Sequence, residues 1–213
     1  MRVFLAIPPD PAWTDSARGL VDRVRRQSPP ASWTPPESWH VTLKFLGEIP
    51  EETAEAFAKA MEPAFAAAPA GPLAPGGALL LPGRARPRVL GAGFAERSAG
   101  FASLAAVASA AERASRELGG EPDTRAFRPH VTFARVRRPW PAGAVELYSR
   151  EADAWSFPDW PVRSAALYQS RLAPSAAIHT LLHEWVLADE ATVARVDATT
   201  TVARLDAMPG VRA

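Results

Sequence analysis

Apolar residues recur along the chain with two alternating periods, and the switches between them mark the elements. Residues 2 to 7, RVFLAI, are a short, nearly all-apolar run closed by Pro8 and Pro9, which cannot continue a hydrogen-bonded ladder, so a buried strand is predicted there. From Asp10 to about Gln27, Trp13, Ala17, Leu20, Val21 and Val24 recur at helical intervals among arginines and aspartates, which predicts a surface helix with its apolar stripe inward. The connector SPPASWTPPES leaves room for a strand of only two or three residues around Trp33. WHVTLKFLG reads as a strand stopped at Gly47. Residues 51 to 67, rich in Ala and Glu after Pro50, read as a helix, followed by the turn material APAGPLAPGG.

The second part of the chain repeats that order. Strands are predicted at 78 to 82 and 87 to 94 and a helix at 98 to 118 ended by Gly119 and Gly120; the loop EPDTRAFRP then leads to a strand from His130 to Arg137. Further strands are expected at 154 to 157, 162 to 170 and 177 to 187, while TVARVDATTTVARLDA after residue 189 alternates weakly, as a tail or an edge strand would. RVFLAI, helix, HVTLKF is thus answered by RVLGAGF, helix, HVTFAR, with His40 and His130 ninety positions apart. The expected class is α+β: two pseudo-symmetric lobes within residues 1–188, each an antiparallel sheet flanked by helices, with a site in the groove between them. Residues 189–213 form an extension.

Composition narrows the partners without naming one. With 213 residues and 47% hydrophobic content, the chain can build its own core, and a monomer is expected. Its 24 Lys plus Arg against 23 Asp plus Glu leave +1, which excludes a highly basic nucleic-acid wrapper but not a local basic cleft. There are no cysteines, so disulfides, thiolate nucleophiles and cysteine zinc clusters are excluded together. No segment approaches the roughly eighteen apolar residues of a membrane span, and the start MRVFLAIPPD is too short for a signal-peptide core, so a cytoplasmic location and no membrane partner are expected.

The chemistry concentrates in the repeated phrase. On a strand, side chains alternate between faces, so His40 and Thr42 share one face and Val41, Leu43 and Phe45 the other; His130 and Thr132 oppose Val131 and Phe133 in the same way. Two imidazoles and two hydroxyls then line one groove. Imidazole titrates near neutrality, so one ring can accept a proton while the other donates one. Threonine hydroxyls can hold nonbridging phosphoryl oxygens without adding charge. An acid and a base on opposite sides of a phosphorus suit an in-line displacement, and no metal or other cofactor is needed. One His-x-Thr alone is as readily a satisfied histidine on an amphipathic strand; two at matching places in a repeat are not. Two histidines also fall short of the three protein ligands usual for catalytic zinc. His179 and His183, in a strand-like AAIHTLLHEWVL, are expected on one face and peripheral to the site.

The stretches MRVFLAI, WTPPESWHVTLKFLGEIP, RPRVLGAG, FRPHVTFARV and LYQSRL, in that order over residues 1 to 188, resemble the RNA 2',3'-cyclic phosphodiesterases, also called 2'-5' RNA ligases, of the 2H phosphoesterase superfamily. The resemblance implies the bilobal 2H fold. It also implies His40 as proton donor to the departing ribose oxygen, His130 as the base that activates water, and Thr42 and Thr132 as phosphate ligands. The implied substrate is RNA ending in a 2',3'-cyclic phosphate, tRNA fragments among them, opened to a 2'-phosphate, with 2'-5' ligation as the reverse type of reaction. Two alternatives stay open: a sister enzyme acting on a small cyclic nucleotide such as ADP-ribose 1'',2''-cyclic phosphate, and a protein that binds RNA ends without chemistry. The final strand departs from the family, with SAAIHTLLHEWVL where relatives more usually carry a shorter strand that contains tyrosine or phenylalanine, and a tail follows it.

Around the two motifs, Arg128, Lys44 and Arg135 are candidates for flanking phosphates, and Phe127, Trp33 and Tyr168 for stacking on a base. Each has a plain alternative, surface charge for the first three and core packing for the aromatics.

Overall fold

The computed structural model describes residues 1–172 and 177–187, so the extension expected at 189–213 lies outside the described residues. The strands are β1 (Arg2–Ile7), β2 (Ser32–Trp33), β3 (Val41–Glu48), β4 (Gly71–Leu73), β5 (Pro75–Leu81), β6 (Val89–Phe94), β7 (His130–Arg135), β8 (Trp160–Val162), β9 (Ser164–Leu172) and β10 (Ala177–Val186). The helices are α1 (Pro11–Arg25), α2 (Glu51–Ala67), α3 (Ala99–Glu117) and α4 (Ala142–Ala154), with a 3-10 turn at Pro36–Ser38.

Both halves join one antiparallel sheet in the order β10-β9-β1-β3-β7-β6-β5, with β2 added beside β7 and a separate β4-β8 ribbon. Within the sheet, the halves meet through the Val41↔Val131 rung between β3 and β7. Further along β7, Ala134 and Arg135 pair with Trp33 and Ser32 of β2 instead. Helices and core lie on one face of the sheet. Val3, Leu5, Ile7, Val41, Leu43, Leu90, Ala92, Val131 and Phe133 are buried there with Trp13, Leu20, Phe57, Met61, Leu104 and Val107.

The helices sit where the period predicts. In α1 the Asp10 carboxylate accepts from the Trp13 amide at 2.9 Å, capping the helix, and Pro11 occupies its first turn, where a missing N–H costs nothing. Trp13 then packs at 5.1 Å against Phe157 and 5.0 Å against Trp160, which anchors the helix layer behind the site.

The region after residue 140 departs from expectation. The strand expected at 154–157 does not form: Ala154 ends the unexpected helix α4, on which Val145, Tyr148, Ser149 and Ala152 fall on one buried stripe, and residues 155–157 lie in neither helix nor strand. β4 likewise arises inside expected turn material: Gly71 to Leu73 pair with β8.

Candidate active site

The valine rung sets the geometry of the groove. With Val41 opposite Val131 in an antiparallel pair, the register carries His40 across from Thr132 and Thr42 across from His130. The four polar side chains surround a local two-fold axis between the valines, which point into the core. All four are half-buried.

The histidines are held in the same way. His40 Nδ1 lies 2.8 Å from the Ser38 carbonyl and His130 Nδ1 lies 2.7 Å from the Arg128 carbonyl. A carbonyl only accepts, so each Nδ1 carries hydrogen and each neutral ring keeps the Nε2 lone pair free. Desolvation lowers His40 most, with the positive charges of His179, His130 and Arg135 adding to it, to about 4. His130 is also lowered, by desolvation first and then by Arg135. Arg135 therefore acts on both rings.

A β-bulge repeats in both motifs and changes which residues reach the groove. Between β1 and β3, Ala6 pairs with Thr42 but Leu5 with Lys44, so Leu43 is the extra residue; between β6 and β7, Gly91 pairs with Thr132 but Leu90 with Ala134, so Phe133 is. After each bulge the alternation is inverted. Lys44 and Ala134 turn to the core, while Phe45 and Arg135 turn to the groove as symmetry mates. Phe45, expected in the core, is half exposed beside Phe4, with ring centroids 5.9 Å apart.

Lys44 consequently does not reach the groove. It is 6% exposed, and its Nζ donates to Glu112 Oε2 at 2.6 Å and to the Glu121 carbonyl at 3.4 Å, tying β3 to α3. Lys44 holds the Glu112 carboxyl below the usual carboxylate range. Lys44→Met is expected to lower the thermal midpoint, through a net loss of about 1–2 kcal/mol, with KM for a phosphate substrate unchanged. Substrate titration beside thermal unfolding checks both halves.

The remaining candidates divide. Tyr168 reaches the groove: it pairs with Phe4 across β9 and β1 and stacks on it at 5.4 Å. Trp33 pairs with the fully buried Ala134 and lines a hollow with Arg18, Val21 and Arg25 of α1, on the helix side. Phe127 is half-buried and packs towards Phe101 of α3, 6.4 Å away. Arg128 has an exposed side chain, and its carbonyl orients His130.

Sequence reasoning missed Phe4 and His179. Phe4 lies inside an all-apolar run, where nothing distinguishes the groove face from the core face. Its ring is 4.8 Å from His40 and 4.9 Å from His179. His179, expected to be peripheral, sits 5.3 Å from His40. It does not share a face with His183, because β10 has an irregularity between Leu181 and His183. His183 instead contacts Glu62 of α2 at 3.2 Å. The groove is therefore lopsided: aromatic on the His40 side, with Gly91 and Gly93 opposite Thr132 and His130 on the other.

The LigT like Phosphoesterase family model matches residues 7–90 and 97–179, one copy for each half of the repeat. The chain belongs to that family. It is 33% identical over 206 residues to an RNA 2',3'-cyclic phosphodiesterase of Thermus thermophilus, covering 89% of this chain and 92% of that one. It is 31% identical to a protein of the same name from Archaeoglobus fulgidus, covering 84% and 96%. The crystal structure of TT0787 from Thermus thermophilus superposes with a TM-score of 0.72 at 27% identity, covering 89% of this chain and 100% of that one. Escherichia coli LigT shares the fold at a TM-score of 0.64, with 23% identity and coverage of 87% and 96%. The expected 2H phosphoesterase fold and family are thus borne out. Among the described residues, no helix is long and apolar enough to cross a membrane, and no three His, Cys, Asp or Glu side chains gather as a metal ion would need.

Proposed function

We propose that this phosphoesterase opens RNA 2',3'-cyclic phosphate ends to 2'-phosphomonoesters, with His40 as proton donor and His130 as base. The observation that carries the reading is the His40, Thr42, His130, Thr132 quartet around the valine rung, with both Nδ1 atoms tied to carbonyls and both Nε2 atoms left for substrate. Water attacks phosphorus and gives a proton to His130 Nε2. The bond from phosphorus to the 3'-oxygen breaks, and that oxygen takes the proton from His40. The threonine hydroxyls and Arg135 hold the nonbridging oxygens as charge builds on them. Replacing the water by an RNA 5'-hydroxyl in the same step would make a 2'-5' linkage.

The lopsided groove supports this assignment of donor and base. In a cyclic phosphate the leaving oxygen belongs to the ribose that carries the base, so the nucleoside and the proton donor lie on the same side of phosphorus. Tyr168 and Phe45, packed on the buried Phe4 that touches His40, offer ring surface on that side, whereas Gly93, without a side chain, lies opposite His130. Phe45 lies beyond Phe4 from His40, with ring centroids 5.9 Å and 4.8 Å from that of Phe4, so the aromatic surface continues along the groove away from His40.

The test is to incubate the protein with short RNAs ending in 2',3'-cyclic phosphate, in EDTA and without ATP. A 2'-phosphate product at an undiminished rate is expected. A 3'-phosphate product, no turnover, or turnover restored only by a divalent metal would each overturn the reading.

A further inference from the structure

The two motif histidines are built alike but surrounded differently. His40 has Phe4 at 4.8 Å on one side and the imidazole of His179 edge-on at 5.3 Å, an interplanar angle of 75°. His130 has no ring neighbour of this kind among the described residues. The proposed mechanism leaves His179 unused, although β10 brings it into the groove opposite Ser170 of β9 and within 4.9 Å of Phe4.

We propose that His179 is a positioning residue for His40: its edge-on imidazole fixes the His40 ring, and a proton on His179 opposes a proton on His40. Two imidazolium rings at this separation repel in a site that Phe4 and Tyr168 shield from water. The groups facing His179 do not cancel the effect. β1 presents Phe4, and β9 presents Tyr168 and Ser170. The 3-10 turn that packs against β10 carries Glu37, and Glu184 lies further along β10, beside Tyr168. His130 and Arg135 reach the pair from across the groove, and both bear on His40. Only desolvation lowers His179, whereas His40 has desolvation plus three positive neighbours against it, so protons reach His179 first. As the pH falls, the donor is thus charged against a ring that is already charged.

The test uses His179→Gln, which removes the titrating ring but keeps a polar side chain. The chain has four histidines, so the imidazole proton resonances of all four can be followed by NMR in the parent and three in the variant. The His40 midpoint is expected to rise by about half a unit to one unit. His130 should hold its midpoint. A His40 midpoint that does not rise overturns the proposal, and this titration is independent of any activity.

The effect on turnover rests on the reading of His40 as proton donor. Above its own titration, His179 is uncharged in the parent, so the alkaline side of the kcat/KM profile serves as an internal reference for lost packing. On the acid side, kcat/KM of His179→Gln should rise severalfold relative to that reference. A shifted His40 titration with an unchanged profile would retain the coupling and overturn the donor role of His40. His179→Phe, which restores a ring, should recover kcat lost in His179→Gln; failure to recover it overturns the positioning half.

Discussion

His40→Ala and His130→Ala are each expected to lower kcat on a 2',3'-cyclic phosphate substrate by two or more powers of ten, the usual scale of one general acid or base. KM should change little, because neither imidazole is the main holder of the phosphate. Removing either ring removes one end of the same proton relay, so the double variant should cost little more than the single ones. Thermal unfolding separates this from misfolding: both rings are half-buried with one internal hydrogen bond each, and the midpoints should stay near the parent's. A His40→Ala variant as fast as the parent would show that no histidine protonates the leaving oxygen.

The same pair fixes the pH profile. Burial first, then neighbouring positive charge, lowers both rings below 6.5, His40 to about 4. In the free protein near neutrality both are therefore neutral: His130 is ready as a base, and His40 lacks its proton. Because a lowered value requires more acid before the proton binds, kcat/KM should peak on the acid side of 6.5 and fall on both flanks. The bound phosphate anion favours imidazolium, so the kcat profile should lie at higher pH than that of kcat/KM. The apparent values belong to the coupled pair. Steady-state rates across the acid and neutral range check both displacements, and a kcat/KM that climbs steadily with pH would exclude a histidine donor.

What is legible in the sequence is whatever depends on period and repetition. The strand at 2–7, the helices at 10–27, 51–67 and 98–118, and the two His-x-Thr strands all follow from alternation, caps and breakers, and the structure has each of them. The quartet is visible because it lies next to the valine rung, before any irregularity interrupts the alternation. A regular alternation puts Phe45 and Lys44 on the wrong faces because they lie beyond a bulge. An inserted residue leaves no local signature when it is Leu43 or Phe133, since a buried leucine or phenylalanine suits the regular strand equally well. His179 is hidden for a different reason. Its distance from His40 depends on β9 and β10 folding back beside β1, a long-range pairing that 139 residues of separation conceal (179 − 40). α4 escapes notice because its stripe of Val145, Tyr148 and Ala152 is short and follows proline-rich sequence.

Gly91 carries the largest expected effect on stability. It pairs with Thr132 at the bulge of β6 and β7, where a methyl group would overlap the Val131 carbonyl oxygen, and its own carbonyl accepts from the Tyr148 hydroxyl at 2.5 Å. Backbone lies on the crowded side, so no side-chain rotation can relieve the clash: β6 must move off β7, and the Tyr148 bond must stretch with it. Overpacking of this kind costs about 1–3 kcal/mol, roughly 2–12 °C in thermal midpoint for a chain of this size. Movement of β6 also withdraws the support behind Thr132 and His130, so Gly91→Ala should lose phosphodiesterase activity even where it remains folded. Gly93, two residues along and opposite His130, is the control. A methyl group there meets only the Leu79 Cδ1 atom at 3.7 Å and Cβ at 3.9 Å, ordinary contacts with a flexible side chain. Gly93→Ala should unfold near the parent's midpoint. If the two variants unfold together, tight apposition of β6 and β7 is not what holds the second motif in place.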